Sequence, residues 1–475
     1  MSAAVNATAA ARHADVLVIG AGPAGLAAAC AAAEQGLRVL VLDEQARAGG
    51  QIYRAVEAAD PARHQILGPD YGAGLALLDR FRRSGARLQG GTSVWQITRE
   101  KQVFALVDGQ PRTYTTDALV LATGAQERPC PVPGWTLPGV MTAGAAQILL
   151  KTEGVVPSRP AVLVGAGPLL YLLAWQYLRA GVSIKAIVET TPRAHYLRAA
   201  RNVAGALANW AELRKGMTML RAIRRAAIPR YKHAEDLVIE GKEAAQAVRF
   251  KAAGRTHRIG TDLVLLHQGV VPNIQNSQAL RLDHTWDDTQ RCWKPRVDDR
   301  GLASLSGCYV VGDGAGIVGA RTSALQGELA GLAIAAARQS AASQPRDARI
   351  AELQRRIAGQ APFRAFLDTL YTPPDAIRVP ADNVIACRCE HVSAGAIRAQ
   401  LATDQPDPNQ LKSYLRCGMG PCQGRQCGLT VDEIVADARG ISPAQVGYYR
   451  LRPPLKPITL EQLARGAAAQ AGEKP

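Results

Sequence analysis

Asp15-Val-Leu-Val-Ile-Gly20-Ala-Gly22-Pro23-Ala24-Gly25 decides the fold. Its apolar opening reads as a short strand of the buried parallel kind, and the Ala-rich continuation to about Gln35 as a helix. Gly36 ends that helix, and Arg38 to Leu42 forms a second strand closing on Asp43. The unit is strand, glycine turn, helix and strand, with a dinucleotide fingerprint in its proper setting. Gly20 makes the tight turn, Gly22 lets the backbone approach a pyrophosphate, and Gly25 lets helix and strand pack closely. The helix N-terminus offers free N–H groups and a positive dipole end to phosphates. Asp43, followed by Glu44, stands where a carboxylate accepts hydrogen bonds from ribose hydroxyls.

A second unit opens at Ala161-Val-Leu-Val-Gly165-Ala-Gly167-Pro168-Leu-Leu170. A helix is expected to about Ala180, then a strand from Val182 to Val188 ending at Glu189. Leu170 takes the place of the third glycine. A leucine there should hold helix from strand or crowd a diphosphate, giving a retained fold that binds NAD(P)H poorly.

Between the two units Asp117-Ala-Leu-Val-Leu-Ala122-Thr123-Gly124 is an apolar strand ending in Ala-Thr-Gly, and further on Gly307-Cys-Tyr-Val-Val-Gly312-Asp313 is another ending in Gly-Asp. From about residue 14 to 340 this order resembles the two-dinucleotide-domain flavoprotein reductases. The resemblance implies an α/β fold with two Rossmann-type domains. One is a discontinuous FAD domain of 14–130 plus 270–340, the other an inserted dinucleotide-like domain of 131–269. It also implies that Asp313 bonds the flavin ribityl chain, with Gly312, Ala122, Thr123 and Gly124 lining the site. Gly49-Gly50-Gln51 fits as a loop over the pyrophosphate, the alternative being a simple turn.

At 475 residues, 47% apolar and 20% charged, the chain is an ordinary globular composition with room for roughly two or three domains. No charge-free run of about 18 apolar residues occurs, so no membrane span is expected. The N-terminus lacks the marks of a secretory signal, and a cytoplasmic place is expected, or one peripheral to the inner membrane through partners. The net charge is +16, with basic residues dense from 193 to 232. No nucleic-acid motif accompanies them, so nucleic acid is not an expected partner. They read either as a solvated face or as a docking surface for an acidic subunit.

Of nine cysteines, Cys387, Cys389, Cys417, Cys422 and Cys427 crowd together near the C-terminus. In a chain expected inside the cell, such crowding points to metal or redox chemistry rather than structural disulfides. Two close pairs, Cys387/Cys389 and Cys422/Cys427, suit a [2Fe–2S] cluster, and zinc is satisfied by the same four thiolates. Arg416-Cys-Gly-Met-Gly-Pro-Cys422-Gln-Gly-Arg-Gln-Cys427 resembles the bacterioferritin-associated-ferredoxin type of α-rich [2Fe–2S] domain, in the form fused to flavin dehydrogenases. That likeness implies Cys387, Cys389, Cys422 and Cys427 as ligands and leaves Cys417 outside, as a packed free thiol. The expected layout is linker and helix over 341–380, the cysteine domain over 381–465, and a tail over 466–475.

Taken whole, and with Gly49-Gly-Gln-Ile-Tyr-Arg54, Gly134-Trp-Thr-Leu-Pro-Gly-Val-Met-Thr-Ala-Gly144 and His267-Gln-Gly-Val-Val-Pro-Asn273, the chain resembles the large FAD-containing subunits of heteromeric flavin-dependent amino-acid and opine dehydrogenases. Opine oxidases, hydroxyproline dehydrogenases and hydrogen cyanide synthase belong to that group. The resemblance implies an electron-transfer subunit with FAD, a [2Fe–2S] cluster and, in some members, FMN at a subunit interface. A partner FAD-containing subunit of the oxidase type would oxidise the substrate's C–N bond, and a further partner would be a small ferredoxin-like subunit. The sequence shows no His/carboxylate motif for substrate chemistry and no Cys-x-x-Cys pair beside the dinucleotide units. His267 is the outside candidate for touching a flavin ring, against a structural histidine. The competing functions are a stand-alone NAD(P)H-dependent reductase and a scaffold with vestigial sites.

Overall fold

Residues with no polar alternation make a strand that must be covered on both faces, and Val16, Leu17 and Val18 are fully buried. In the computed structural model, which describes residues 12–339 and 343–471, they lie in the strand Arg12–Ile19. It runs parallel to Val39–Leu42 on one side and Gln110–Leu121 on the other. The sheet has seven strands. Arg87–Gln89 extends it parallel at one edge, and Gln102–Val107 and Thr92–Ile97 continue it antiparallel beyond Gln110–Leu121. Cys308–Val310 returns from far along the chain to pair, in parallel, with Gln110–Leu121. This sheet is therefore made of two separated stretches of chain.

The second sheet has five strands in the order Arg230–Tyr231, Ile184–Glu189, Ala161–Ala166, Val264–Gln268, Val140–Thr142, every pair parallel. A three-stranded antiparallel sheet over Glu235–Gly241, Ala245–Ala252 and Arg255–Gly260 packs against it. The chain crosses between the large sheets through Ala125–Glu127, which pairs antiparallel with the returning Val270–Pro272.

The Ala-rich helix Pro23–Ala33 owes its composition to its neighbour, Ala320–Arg338. A Cβ on Gly327 would lie 1.9 Å from the Ala24 carbonyl oxygen, and one on Gly331 would lie 2.4 Å from that of Ala28. The two backbones touch, and larger residues would push them apart.

Three helices, Arg193–Ala200, Val203–Ala208 and Trp210–Arg225, carry the basic stretch. Within it Leu197, Leu207 and Trp210 stand 76%, 56% and 55% exposed among exposed arginines.

Residue 340, the expected end of the FAD domain, and residues 341–342 of the expected linker lie outside the described residues. Helices Gln344–Ala358 and Ala361–Leu370 then lead to a mainly helical C-terminal unit with its own core, including Ile397, Leu401, Val431 and Ile434. The expected tail from 466 is corrected in part, since a helix spans Leu460–Ala471. Thr459 and Gln462 cap it reciprocally, each side chain accepting from the other's backbone N–H at 2.9 and 3.2 Å. Residues 472–475 lie outside the described part. Among the described residues no helix is long and apolar enough to cross a membrane.

Candidate functional site

The first glycine turn is built as tightly as its sequence requires. A Cβ on Gly25 would meet the Gly20 carbonyl oxygen at 1.9 Å. The Gly49-Gly50 loop lies directly on the turn: Gly49 N–H donates to the Ala21 carbonyl at 2.8 Å, and a Cβ on Gly50 would come 2.7 Å from Gly22 Cα. Between them they leave the bare backbone cradle that a pyrophosphate needs.

Asp43 does more than wait for a ribose. Its Oδ2 accepts from Ala21 N–H at 2.6 Å and its Oδ1 from Gln45 N–H at 2.7 Å, so it clasps the turn to its own strand end. Burial pushes its carboxyl up, and the two N–H donors pull it back. Glu44 is exposed and paired with Lys456 of the C-terminal unit at 2.7 Å. Asp313 Oδ1 accepts from Val318 and Gly319 N–H at 2.8 and 2.9 Å and so holds the entry to Ala320–Arg338. Gly312 packs under Ala24, where a Cβ would lie 2.7 Å from that side chain. Thr123 donates its hydroxyl to the Asn273 carbonyl at 2.8 Å, joining the crossing strand to the returning one.

Gly20, Gly22, Pro23, Ala24, Asp43, Glu44, Gly50, Gln51, Ala122, Thr123, Gly124 and Asp313 all line one cavity of about 1600 Å³. Gly25 and Gly312 stand behind it, as packing residues. A pocket for one small ligand runs to about 300–1,000 Å³, so this space exceeds a single such site. Its wall continues past Gly167, Pro168 and Tyr171 of the second unit to Arg425 and Gln426 beside Cys427.

In the second unit Leu170 is fully buried within the core rather than in the cavity, so it does not crowd a diphosphate. The acid that ends the strand is otherwise engaged. Glu189 is buried, and Arg230 donates to its Oε1 through Nε at 2.8 Å and Nη2 at 2.5 Å. Burial, then neighbouring charge including that of Glu189, pushes the phenols of Tyr171 and Tyr371 up beside it.

His267 is buried, with Nδ1 2.7 Å from Glu127 Oε1, while Glu127 Oε2 accepts from Gly144 N–H at 2.9 Å. This pair is not a sequence motif; the fold alone makes it. The two are 140 positions apart and meet only because the crossing strand ends beside Val264–Gln268. His267 lies at the second glycine turn, where a Cβ on Gly167 would come 3.2 Å from Nε2. Lys151, which no motif flags, is buried with Nζ donating to the Gln51 carbonyl at 3.0 Å, and burial pushes it down to about 7.

In the C-terminal unit Cys387 and Cys427 come together, and burial, with Cys389 beside it, pushes the Cys422 thiol up. The four expected ligands thus form two pairs, one buried and one near the surface, since Cys389 is exposed and Cys422 half-buried. A Cβ on Gly420 would strike that of Cys389 at 2.3 Å, and Gly418 and Gly424 both bear on the Tyr449 ring. Soft thiolates so paired fit an iron–sulfur cluster as well as zinc. Cys417, expected as a packed free thiol outside the four, is buried and packs beside two of them. Cys387, Cys417 and Cys427 are all buried, with sulfurs within 4.8 Å of one another. Arg416 ends the helix Pro408–Leu415 in the left-handed conformation, φ 59°, and that turn aims Cys417 inward. Thiol hydrogen bonds from Cys417 and Cys427 draw Cys387 down to about 2.

The unit is tied to the seven-stranded sheet, to the crossing strand and to the loop after it. Gln126 Nε2 of the crossing strand donates to the Arg425 carbonyl at 2.8 Å, Trp135 Nε1 to that of Ile385 at 2.8 Å, and Leu455 N–H to that of Trp95 at 2.8 Å.

Residues 14–340 match the pyridine nucleotide-disulphide oxidoreductase family, and residues 389–467 match the sarcosine oxidase A3 domain. The A subunit of opine oxidase from Agrobacterium tumefaciens (strain Ach5) is 45% identical, over 95% of this chain and 91% of its own length. The HcnB subunit of hydrogen cyanide synthase from Pseudomonas protegens is 30% identical, over 93% of this chain and 96% of its own. Among solved structures, L-proline dehydrogenase from P. horikoshii shares the fold at a TM-score of 0.68 and 19% identity, with 95% of this chain and 79% of that one covered.

Proposed function

The chain belongs to the pyridine nucleotide-disulphide oxidoreductase family and groups with the A subunits of opine oxidases; from that membership we propose that it is the electron-transfer subunit of a heteromeric dehydrogenase oxidising the C–N bond of an amino acid or opine. It is an FAD-dependent oxidoreductase. The finer reading gives it FAD in the first unit and a [2Fe–2S] cluster of the bacterioferritin-associated-ferredoxin type in the C-terminal unit. Substrate oxidation falls to a partner FAD subunit of the oxidase type. FMN at a subunit interface and a small ferredoxin-like subunit complete the relay, on the cytoplasmic side of the inner membrane.

One observation carries this reading above the others: Arg425 and Gln426, next to Cys427, line the same cavity as the first glycine turn. Electron transfer needs distance and fixed orientation more than reactive side chains, and a bound flavin and cluster supply the redox chemistry there. In this reading the residues of this chain provide the rest. Gly22 and Gly50 leave room for the diphosphate, Asp43 and Asp313 fix the two ends of the cradle, and the Gln126–Arg425 bond holds the cysteine loop against it. Cys387, Cys389, Cys422 and Cys427 would hold the cluster. The exposed Leu197, Leu207 and Trp210 among arginines suit a subunit contact, since apolar patches of this kind mark interaction sites.

The rival reading is a stand-alone NAD(P)H reductase, and Glu189 speaks against it because Arg230 already neutralises the acid a ribose would meet. The test is to add NADH anaerobically to the purified chain and follow the flavin absorbance, then repeat with candidate amino acids or opines in the presence of the partner subunit. Bleaching is expected only with partner and substrate. Rapid bleaching by NADH alone would sink the proposal.

A further inference from the structure

The two cysteine pairs are not equivalent, because only the buried pair has a third thiol beside it. Three sulfurs, those of Cys387, Cys417 and Cys427, lie within 4.8 Å of one another. Sulfurs bound about 2.3 Å from a tetrahedral metal stand about 3.8 Å apart, so all three are within about 1 Å of vertices of one site. Cys417 is held there rather than passing by. Its backbone follows the left-handed turn at Arg416, its neighbour Gly418 is pressed against the Tyr449 ring, and the Tyr449 hydroxyl donates to its sulfur at 3.7 Å. Lys412 Nζ lies 4.7 Å over the same ring. Around Cys389 and Cys422 the described residues gather no third thiol.

We infer that Cys417 is a reserve ligand of the inner metal position, able to replace Cys387 or Cys427, whereas Cys389 and Cys422 have no substitute. The inference rests on the [2Fe–2S] reading proposed above. The exchange is a ligand substitution without electron transfer. During cluster assembly the Cys417 thiol releases its proton to water, and its thiolate takes the iron position that the missing thiolate would fill.

The test compares the full-length protein with Cys427→Ala, Cys417→Ala, Cys417→Ala/Cys427→Ala and Cys422→Ala, reading iron and acid-labile sulfide per chain and the electron paramagnetic resonance of the reduced protein. Bound flavin per chain reports folding of each variant independently. Cys427→Ala should keep most of its iron and sulfide with a shifted resonance, and Cys417→Ala should keep all. The double variant and Cys422→Ala should lose the cluster, by at least the roughly tenfold that even outer partners of a metal site contribute. If Cys427→Ala loses the cluster as fully as the double variant, or if Cys417→Ala alone loses it, the reserve role is wrong. A wild-type protein without iron and sulfide defeats the [2Fe–2S] reading itself, which separates that failure from this one. If Cys427→Ala fails to fold, Cys387→Ala with and without Cys417→Ala asks the same question of the other buried ligand.

Discussion

The two glycine turns, Gly20 to Gly25 and Gly165 to Leu170, begin alike and are pinned at different ends. In the first, the tight place is Gly25, whose added Cβ would meet the Gly20 carbonyl at 1.9 Å; in the second, it is Gly165, whose added Cβ would meet the His267 carbonyl at 1.7 Å. The first turn presses helix on strand and keeps a bare backbone toward the cavity. The second has spent that closeness on a core leucine and tied its strand to the next one. The acids differ in the same way. Asp43 braces its own turn while still lining the cavity, whereas the carboxylate of Glu189 is 2% exposed and matched by Arg230. A dinucleotide-type turn thus keeps its fold with a buried leucine in place of its third glycine.

Making the first turn like the second should break the molecule most. Gly25→Leu has no space to enter, so the expected outcome is loss of flavin and of soluble protein, read as flavin per chain and recovery. Retention of near-stoichiometric flavin would mean that the close approach is not needed. Breaking the second unit's pair comes next. Arg230→Met leaves Glu189 charged and buried, at a cost of about 3–5 kcal/mol in urea unfolding, and adding Glu189→Gln should restore much of it. A cost near zero would show that the pair is not what holds that strand end.

Per pH unit, the smallest effect comes from a buried lysine. Arg230 faces a carboxylate, but Lys151 faces only the Gln51 carbonyl, and burial takes it from 10.5 down to about 7. In that window the unfolded chain holds the proton and the folded one does not. Stability therefore rises with pH from about 7 to about 10.5, by up to about 1.4 kcal/mol per unit, and is lost as pH falls toward 7. Lys151→Met should flatten this slope in thermal unfolding followed across pH. An unchanged slope would assign it to other groups.

What was legible in the sequence follows from how local each feature is. The first turn, the Gly-Asp strand end and the cysteine strings are short stretches whose chemistry fits their spacing, but the structure joins the cysteines across the strings, Cys387 to Cys427 and Cys389 to Cys422. Pairs made by the crossing strands were not legible, because Glu127 and His267, or Gln126 and Arg425, share no local pattern. The place of Cys417 beside Cys387 and Cys427 was not legible for a subtler reason. Its direction depends on one left-handed residue, Arg416, a residue type that gives no warning of it. The helix at Leu460–Ala471 was signalled by Thr459 and Gln462, a cap that Ala-rich monotony beyond it obscures.

The crossing of the Ala-rich helix by Gly327 and Gly331 also sets a schedule for synthesis. Ala24 and Ala28 leave the ribosome long before the glycines that cover them, by about 15–60 s at common elongation rates. Until then one flank of the cradle is open to solvent, while the intervening second unit already has every strand of its own sheet. Flavin capture is accordingly a late event in the life of each new chain, and the nascent first half is the part that most needs protection.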